Sequence, residues 1–258
     1  GDYPDHQRQG DAVCIITFSQ GHTGIDNQPS VRTYMLQTVA ERMSQPLSSN
    51  VVVYDDEIAM ITDFLNLMKQ YTHTVSFNGM GYDMDYLVRR ELLLTGAVAN
   101  HSRVRKLRST YHYNKAGWRS GLVLKQPEIV HIDLLLVVQT LLPDLPSHKL
   151  NLVCGLLLGE HKDDVDFHTI NGILNTPSTQ LTDSQRDTIT RFATYAAKDT
   201  ALLVKLWQWL RPHCQQLCTA LYSPYTMCTD IKMVYEWVSL YVSMYRYPAP
   251  PPVWSKKW

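Results

Sequence analysis

Phe77-Asn78-Gly79-Met80-Gly81-Tyr82-Asp83-Met84-Asp85-Tyr86-Leu87 is the stretch on which the fold turns. A short strand, Thr74 to Phe77, feeds a loop, 78–81, whose glycines permit a tight strand-to-helix turn. A helix is expected from Asp83 to about Thr95. A loop of this kind sets side chains at a sheet edge.

Upstream, Ala12 to Ser19 is apolar and β-branched and reads as a strand, as does Val31 to Val39. Val51-Val52-Val53-Tyr54 is continuously apolar and reads as a buried strand, so the three are expected in one sheet. From Asp56 the period changes: Ile58, Ile61, Phe64, Leu65 and Met68 recur at helical spacing behind acidic first-turn residues. Downstream, 103–126 is basic and aromatic, punctuated by Gly117 and Gly121, and reads as a β-hairpin. Ile129 to Ile132 returns as a strand, and helices are expected at Leu134–Leu142, Leu150–Leu158 and Asp183–Leu210. Val165 to Thr182 reads as a polar loop. A helical stretch from Ile231 to Tyr245 ends in Pro248-Ala249-Pro250-Pro251-Pro252, a linker.

Composition excludes several classes. With 45% hydrophobic and 19% charged residues over 258, the chain is too apolar for disorder and long enough for a substantial core. The formal net charge is zero, so any nucleic-acid binding must come from a local site rather than a global field. Five cysteines, several in apolar runs, suggest buried thiols and a reducing, intracellular setting. No run approaches the roughly 18 apolar residues of a membrane span, so no membrane partner is expected. The chain opens on Gly1 rather than Met, which suggests that it begins inside a longer product.

The quoted stretch is similar to the second exonuclease motif of family-B DNA polymerases, Tyr-Asn-x-x-x-Phe-Asp-x-x-Tyr-Leu. Tyr195-Ala196-Ala197-Lys198-Asp199 resembles the third, Tyr-x-x-x-Asp. Between them, Ile132-Asp133-Leu134 and the run from Leu158-Gly159 to Asp164-Val165 resemble the family's linking stretch. The resemblance implies a ribonuclease-H-like α/β fold: a mixed sheet flanked by helices, with residues 1–210 as the exonuclease-like domain. Residues 211–258 would form a helical extension and Pro-rich linker towards a polymerase palm. It also implies removal of 3′-terminal nucleotides from single-stranded DNA by two-metal hydrolysis with Mg²⁺ or Mn²⁺. The implied partners are the single-stranded 3′ end, the rest of a polymerase chain (palm, fingers and thumb) and a processivity factor. The implied setting is the nucleus or a viral replication site, and divergence from cellular sequences suggests a large DNA virus as source.

That chemistry uses two divalent metals about 4 Å apart, held by hard carboxylate oxygens. By resemblance Asp83 and Asp199 are metal ligands and Tyr195 positions the attacking water. Tyr195 and Asp199, four apart on a helix, share one face. As plain residues, Asp83 is a candidate helix N-cap, Asp199 a solvated helix residue, and Asn78 a turn-former as readily as a DNA contact. The family's first motif, Asp-x-Glu, has no match: Asp55-Asp56-Glu57 lies too close to Asp83 and reads as an acidic helix start. Two explanations stand. Either the chain starts after that motif, which is the expectation, or Ile15 to Gly21 is the first strand with Ser19 and Gly21 in the acidic positions. The latter would make the chain an inactive scaffold that binds DNA or a replication partner.

Cations and aromatics interleave from Arg103 to Arg119, a composition suited equally to single-stranded DNA and to a solvated hairpin. The DNA-contact candidates are Asn78, Tyr82, Arg105, Lys106, Trp118 and Arg119. His213, Cys214, Cys218 and Cys228 match zinc spacings poorly and read as helix-packing residues.

Overall fold

The computed structural model describes residues 11–23, 29–71, 73–79, 82–96, 103–108, 120–125, 130–161 and 166–220. In order these form β1 (Ile15–Thr23), β2 (Pro29–Leu36), α1 (Gln37–Ala40), β3 (Val51–Tyr54), α2 (Glu57–Met68), β4 (His73–Ser76) and α3 (Asp83–Thr95). Then come β5 (Arg103–Arg108), β6 (Ser120–Lys125), β7 (Val130–Asp133), α4 (Leu134–Leu141), α5 (Leu150–Leu158), α6 (Phe167–Leu174) and α7 (Asp183–Ala220).

β1 runs antiparallel to β2, with Ile15 opposite Met35 and Ser19 opposite Val31, and β3 joins β2 in parallel with Val51 opposite Thr33. The result is a small mixed sheet with helices packed against it, the α/β arrangement expected of a ribonuclease-H-like domain. β4 finds its parallel partner in β7, with Ser76 opposite Asp133. β5 and β6 form the antiparallel hairpin expected from the sequence.

The buried residues divide into two cores. The first gathers Met35 and Val39 behind the sheet, Met60, Ile61 and Leu65 of α2, Leu87 and Val88 of α3, and Ile189 and Ala193 of α7. The second gathers Leu134 and Val138 of α4, Val153 of α5, and Leu202, Leu206 and Leu210 of α7, with Val75 of β4, Phe77 just after it and Ile132 of β7 packed on it. α7 therefore takes part in both cores: Ile189 and Ala193, one turn apart, enter the first, and Leu202, Leu206 and Leu210, at four-residue spacing on a different face, enter the second. Trp207 and Trp209 pack against the second core.

Four expectations need correction. The second strand stops at Leu36 rather than Val39; the following helical turn swings Val39 into full burial, which an extended continuation would not do. Val52 is 45% exposed rather than buried, because among the described residues β3 has a paired neighbour on one side only. The stretch read as a polar loop holds α6 and a 3-10 turn at Ser178–Gln180. Ile170 and Ile173, one helical turn apart, bury that helix against the first core despite its polar surroundings. Finally, α7 runs past Leu210 to Ala220 with Pro212 inside it, since a proline removes one ladder bond without stopping a helix anchored by packing on its preceding turns. The expected helix at 231–245 and the Pro-rich linker lie outside the described residues.

Candidate active site

The turn after β4 is built by close backbone approach. Asn78 has φ 60, in the left-handed region that Asn tolerates better than most residues. At Gly79, a Cβ would fall 2.5 Å from both Cβ and Oγ of Ser76, so only glycine lets the chain fold back on β4 at this point. The Asn78 carbonyl then accepts the Tyr82 amide at 3.0 Å and the Gly79 carbonyl accepts the Met84 amide at 2.8 Å, which starts α3.

Asp83 is the first residue of α3, and the N-cap position belongs to Tyr82, so the capping role considered for Asp83 is not realised. Asp83 is exposed as a residue. Even so, loss of solvation on its inward side, with the negative charge of Asp133 adding to it and a bond from its own amide opposing, pushes its carboxyl up to about 6. Water still reaches the group, which tempers the shift.

Asp133, at the end of β7, is the residue that sequence reasoning missed. It is 4% exposed and caps α4: its Oδ1 accepts the Leu135 amide at 3.0 Å and the Asn78 amide at 2.7 Å. An Asp between a short strand and an apolar helical run is a recognisable N-cap signal, but the contact with Asn78 has no signal in the sequence.

Tyr195 is buried at 7% exposure and Asp199 is partly buried, with Oδ1 shut away from solvent. Both stand on the length of α7 between Ala193 of the first core and Leu202 of the second. β1 lies on the same length: Thr17 Oγ1 donates to the Ala196 carbonyl at 3.0 Å and lies 2.7 Å from Thr200 Oγ1. Asp83 precedes a first-core residue, Met84, and Asp133 a second-core residue, Leu134. Asp83 and Asp133 are thus electrostatic neighbours joining a first-core helix to a second-core helix, and Tyr195 and Asp199 lie on the part of α7 between its first-core and second-core residues. Among the described residues, no three His, Cys, Asp or Glu side chains gather to hold a metal ion.

The remaining candidates are more scattered. Tyr82 is exposed beside Asp83, its ring centroid 5.9 Å from that of Tyr86. Arg105 and Lys106 fall on β5, and Trp118 and Arg119 lie outside the described residues, as does Cys228. His213, Cys214 and Cys218 fall on the last turns of α7.

The acidic run before α2 is structural. Asp56 caps the helix by accepting the Ala59 amide at 2.9 Å. Glu57 takes a two-pronged ion pair from Arg90, at 2.8 Å from Nε and 2.9 Å from Nη2, and also accepts the Val13 amide at 2.7 Å. Tyr86 Oη donates to the Asp11 carbonyl, so the segment entering β1 is strapped across α2 and α3. Cys14, on that strap, is a thiol pushed up to about 11, first by burial and then by the charge of Glu57.

Comparison with known proteins shows which chains this one is similar to. The DNA polymerase delta catalytic subunit of Schizosaccharomyces pombe is 27% identical over 190 residues, 70% of this chain and 16% of the relative. The subunit of the same name from Oryza sativa gives the same figures. DNA polymerase 1 of Aeropyrum pernix is 40% identical over 45 residues, 17% of this chain and 5% of the relative. The chain thus spans only about a sixth of the length of the delta subunits it matches. The family description "DNA polymerase family B, exonuclease domain" fits residues 1–153, more than half of the chain, and the protein belongs to that family.

Proposed function

We propose that the chain is the 3′→5′ proofreading exonuclease region of a longer DNA polymerase and takes the 3′ end of single-stranded DNA at the seam between its two cores. The observation that supports this reading is the match of residues 1–153 to the family-B exonuclease domain, with Asp83 on the first turn of α3 and Tyr195 and Asp199 one turn apart on α7. In this role Tyr195 orients the water that attacks the terminal phosphodiester, while Asn78 and Tyr82 lie against the last nucleotide and Arg105, Lys106, Trp118 and Arg119 against the strand behind it. The remainder of the polymerase and a processivity factor would be its partners, and the nucleus or a viral replication site its setting.

Exonucleases of this family generally use divalent metals, and Asp83 and Asp199 are the carboxylates this chain offers to Mg²⁺ or Mn²⁺. Two carboxylates undercompensate two dications, and no third ligand joins them among the described residues. Among the described residues these two carboxylates therefore do not make up a two-metal site.

One observation favours a second reading, an exonuclease-like scaffold without catalysis. β1 is the strand that lies on α7 beside Asp199, and where an acidic pair would stand it carries Ser19, whose Oγ is buried, and Gly21. Degradation of a 5′-labelled single-stranded DNA with Mg²⁺ or Mn²⁺ separates the two. Shortening from the 3′ end that disappears in an Asp83→Ala, Asp199→Ala variant supports the exonuclease. A folded chain that binds the strand and leaves it intact supports the scaffold.

A further inference from the structure

We propose that Asp133 is a positioning residue of this site: one carboxylate oxygen ties the Asn78 turn to the start of α4 and so determines where Asn78 and Asp83 stand. The inference rests on the functional reading above for what the site binds, but the tie itself stands on geometry. Asp133 and Asn78 are far apart in sequence and on different elements, yet Oδ1 accepts both the Asn78 amide at 2.7 Å and the Leu135 amide at 3.0 Å. By contrast Asp56, the cap of α2, accepts the Ala59 amide of its own helix. The Asn78 backbone is left-handed and Gly79 leaves no room for a Cβ beside Ser76, the residue opposite Asp133 in the β4–β7 pair. A turn of that shape relaxes unless something holds it.

The held turn then directs α3. The Asn78 and Gly79 carbonyls receive the amides of Tyr82 and Met84, the residues on either side of Asp83. Position thus passes from Asp133 through Asn78 to the first turn of α3, over hydrogen bonds of 2.7 to 3.0 Å. A carboxylate at 4% exposure is costly to bury, and N–H donors from the start of α4 and from the Asn78 turn offset that cost.

Three variants of the chain test this. Asp133→Asn keeps a carbonyl oxygen for both amides. Asp133→Ser keeps a cap for α4 with a hydroxyl too short to reach Asn78 as well, which guards against Asp133→Ala failing to fold. Amide hydrogen exchange at Asn78, read by NMR, should rise about tenfold or more in the Ser and Ala variants and stay within about threefold in Asn. The Met60 amide in α2 should not change. Affinity for a 5′-fluorescein oligo-dT should fall at least about threefold in Ser and recover in Asn. Retained Asn78 protection in the Ser variant, or loss in Asn equal to that in Ser, overturns the proposal. A wild-type chain that ignores oligo-dT while the exchange pattern holds overturns the functional reading and leaves the tie intact.

Discussion

Removing Arg90 should be the most damaging single change outside the apolar cores. Its guanidinium is 2% exposed and grips Glu57, itself 12% exposed, through bonds of 2.8 and 2.9 Å. Arg90→Met leaves Glu57 buried with the Val13 amide at 2.7 Å and without its counter-charge. Breaking a buried pair in this way costs about 3–5 kcal/mol, against about 0–1 for an exposed one. For a domain of this size that is a fall in melting temperature on the order of 10 °C. Urea denaturation of Arg90→Met, Glu57→Gln and the double variant completes a cycle. The double variant should lose much less than the two singles together, because the second substitution removes the charge that the first left stranded. A cost below about 1 kcal/mol for Arg90→Met, with additive singles, would refute the view that this pair straps the entry to β1 onto α2 and α3.

Two further outcomes follow from the site. Gly79→Ala forces a Cβ against Ser76 and should destabilise by about 1–3 kcal/mol, with Ser76→Gly in the same chain recovering part of the loss in urea melts. Asp83, whose carboxyl is raised to about 6 in the folded chain from 3.8, binds more protons folded than unfolded between those values. Its contribution is therefore favourable at low pH and is lost as pH rises through about 6. Asp83→Asn should remove this fall between pH 4 and 6, and, after solvent screening, gain at most about 1 kcal/mol at pH 7 in denaturation series.

Where the signal was local, the sequence was enough. The helix over 83–95 and that over 150–158 have the limits their apolar periods imply, and the hairpin is where the Gly-punctuated basic stretch placed it. The stretch 165–182 reads as a polar loop because Ile170, Ile173, Leu174 and Leu181 stand among hydrophilic residues; their burial depends on a core built from residues far along the chain. Val52 reads as buried from three successive valines and a tyrosine, but exposure at a sheet margin depends on which neighbours pair, and four apolar residues do not encode that.

The site divides in the same way. Asp83, Tyr195 and Asp199 were legible as residue types at family spacings, and a helix alone puts Tyr195 and Asp199 on one face. That Asp133 reaches Asn78, that Glu57 belongs to Arg90 rather than to any metal, and that Thr17 rests on α7 beside Asp199 were decided by tertiary structure alone. Periodicity and turn chemistry act over a few residues and are written in order along the chain. A carboxylate's role depends on which donors folding brings within 3 Å of it, and those donors come from distant elements that only packing brings together.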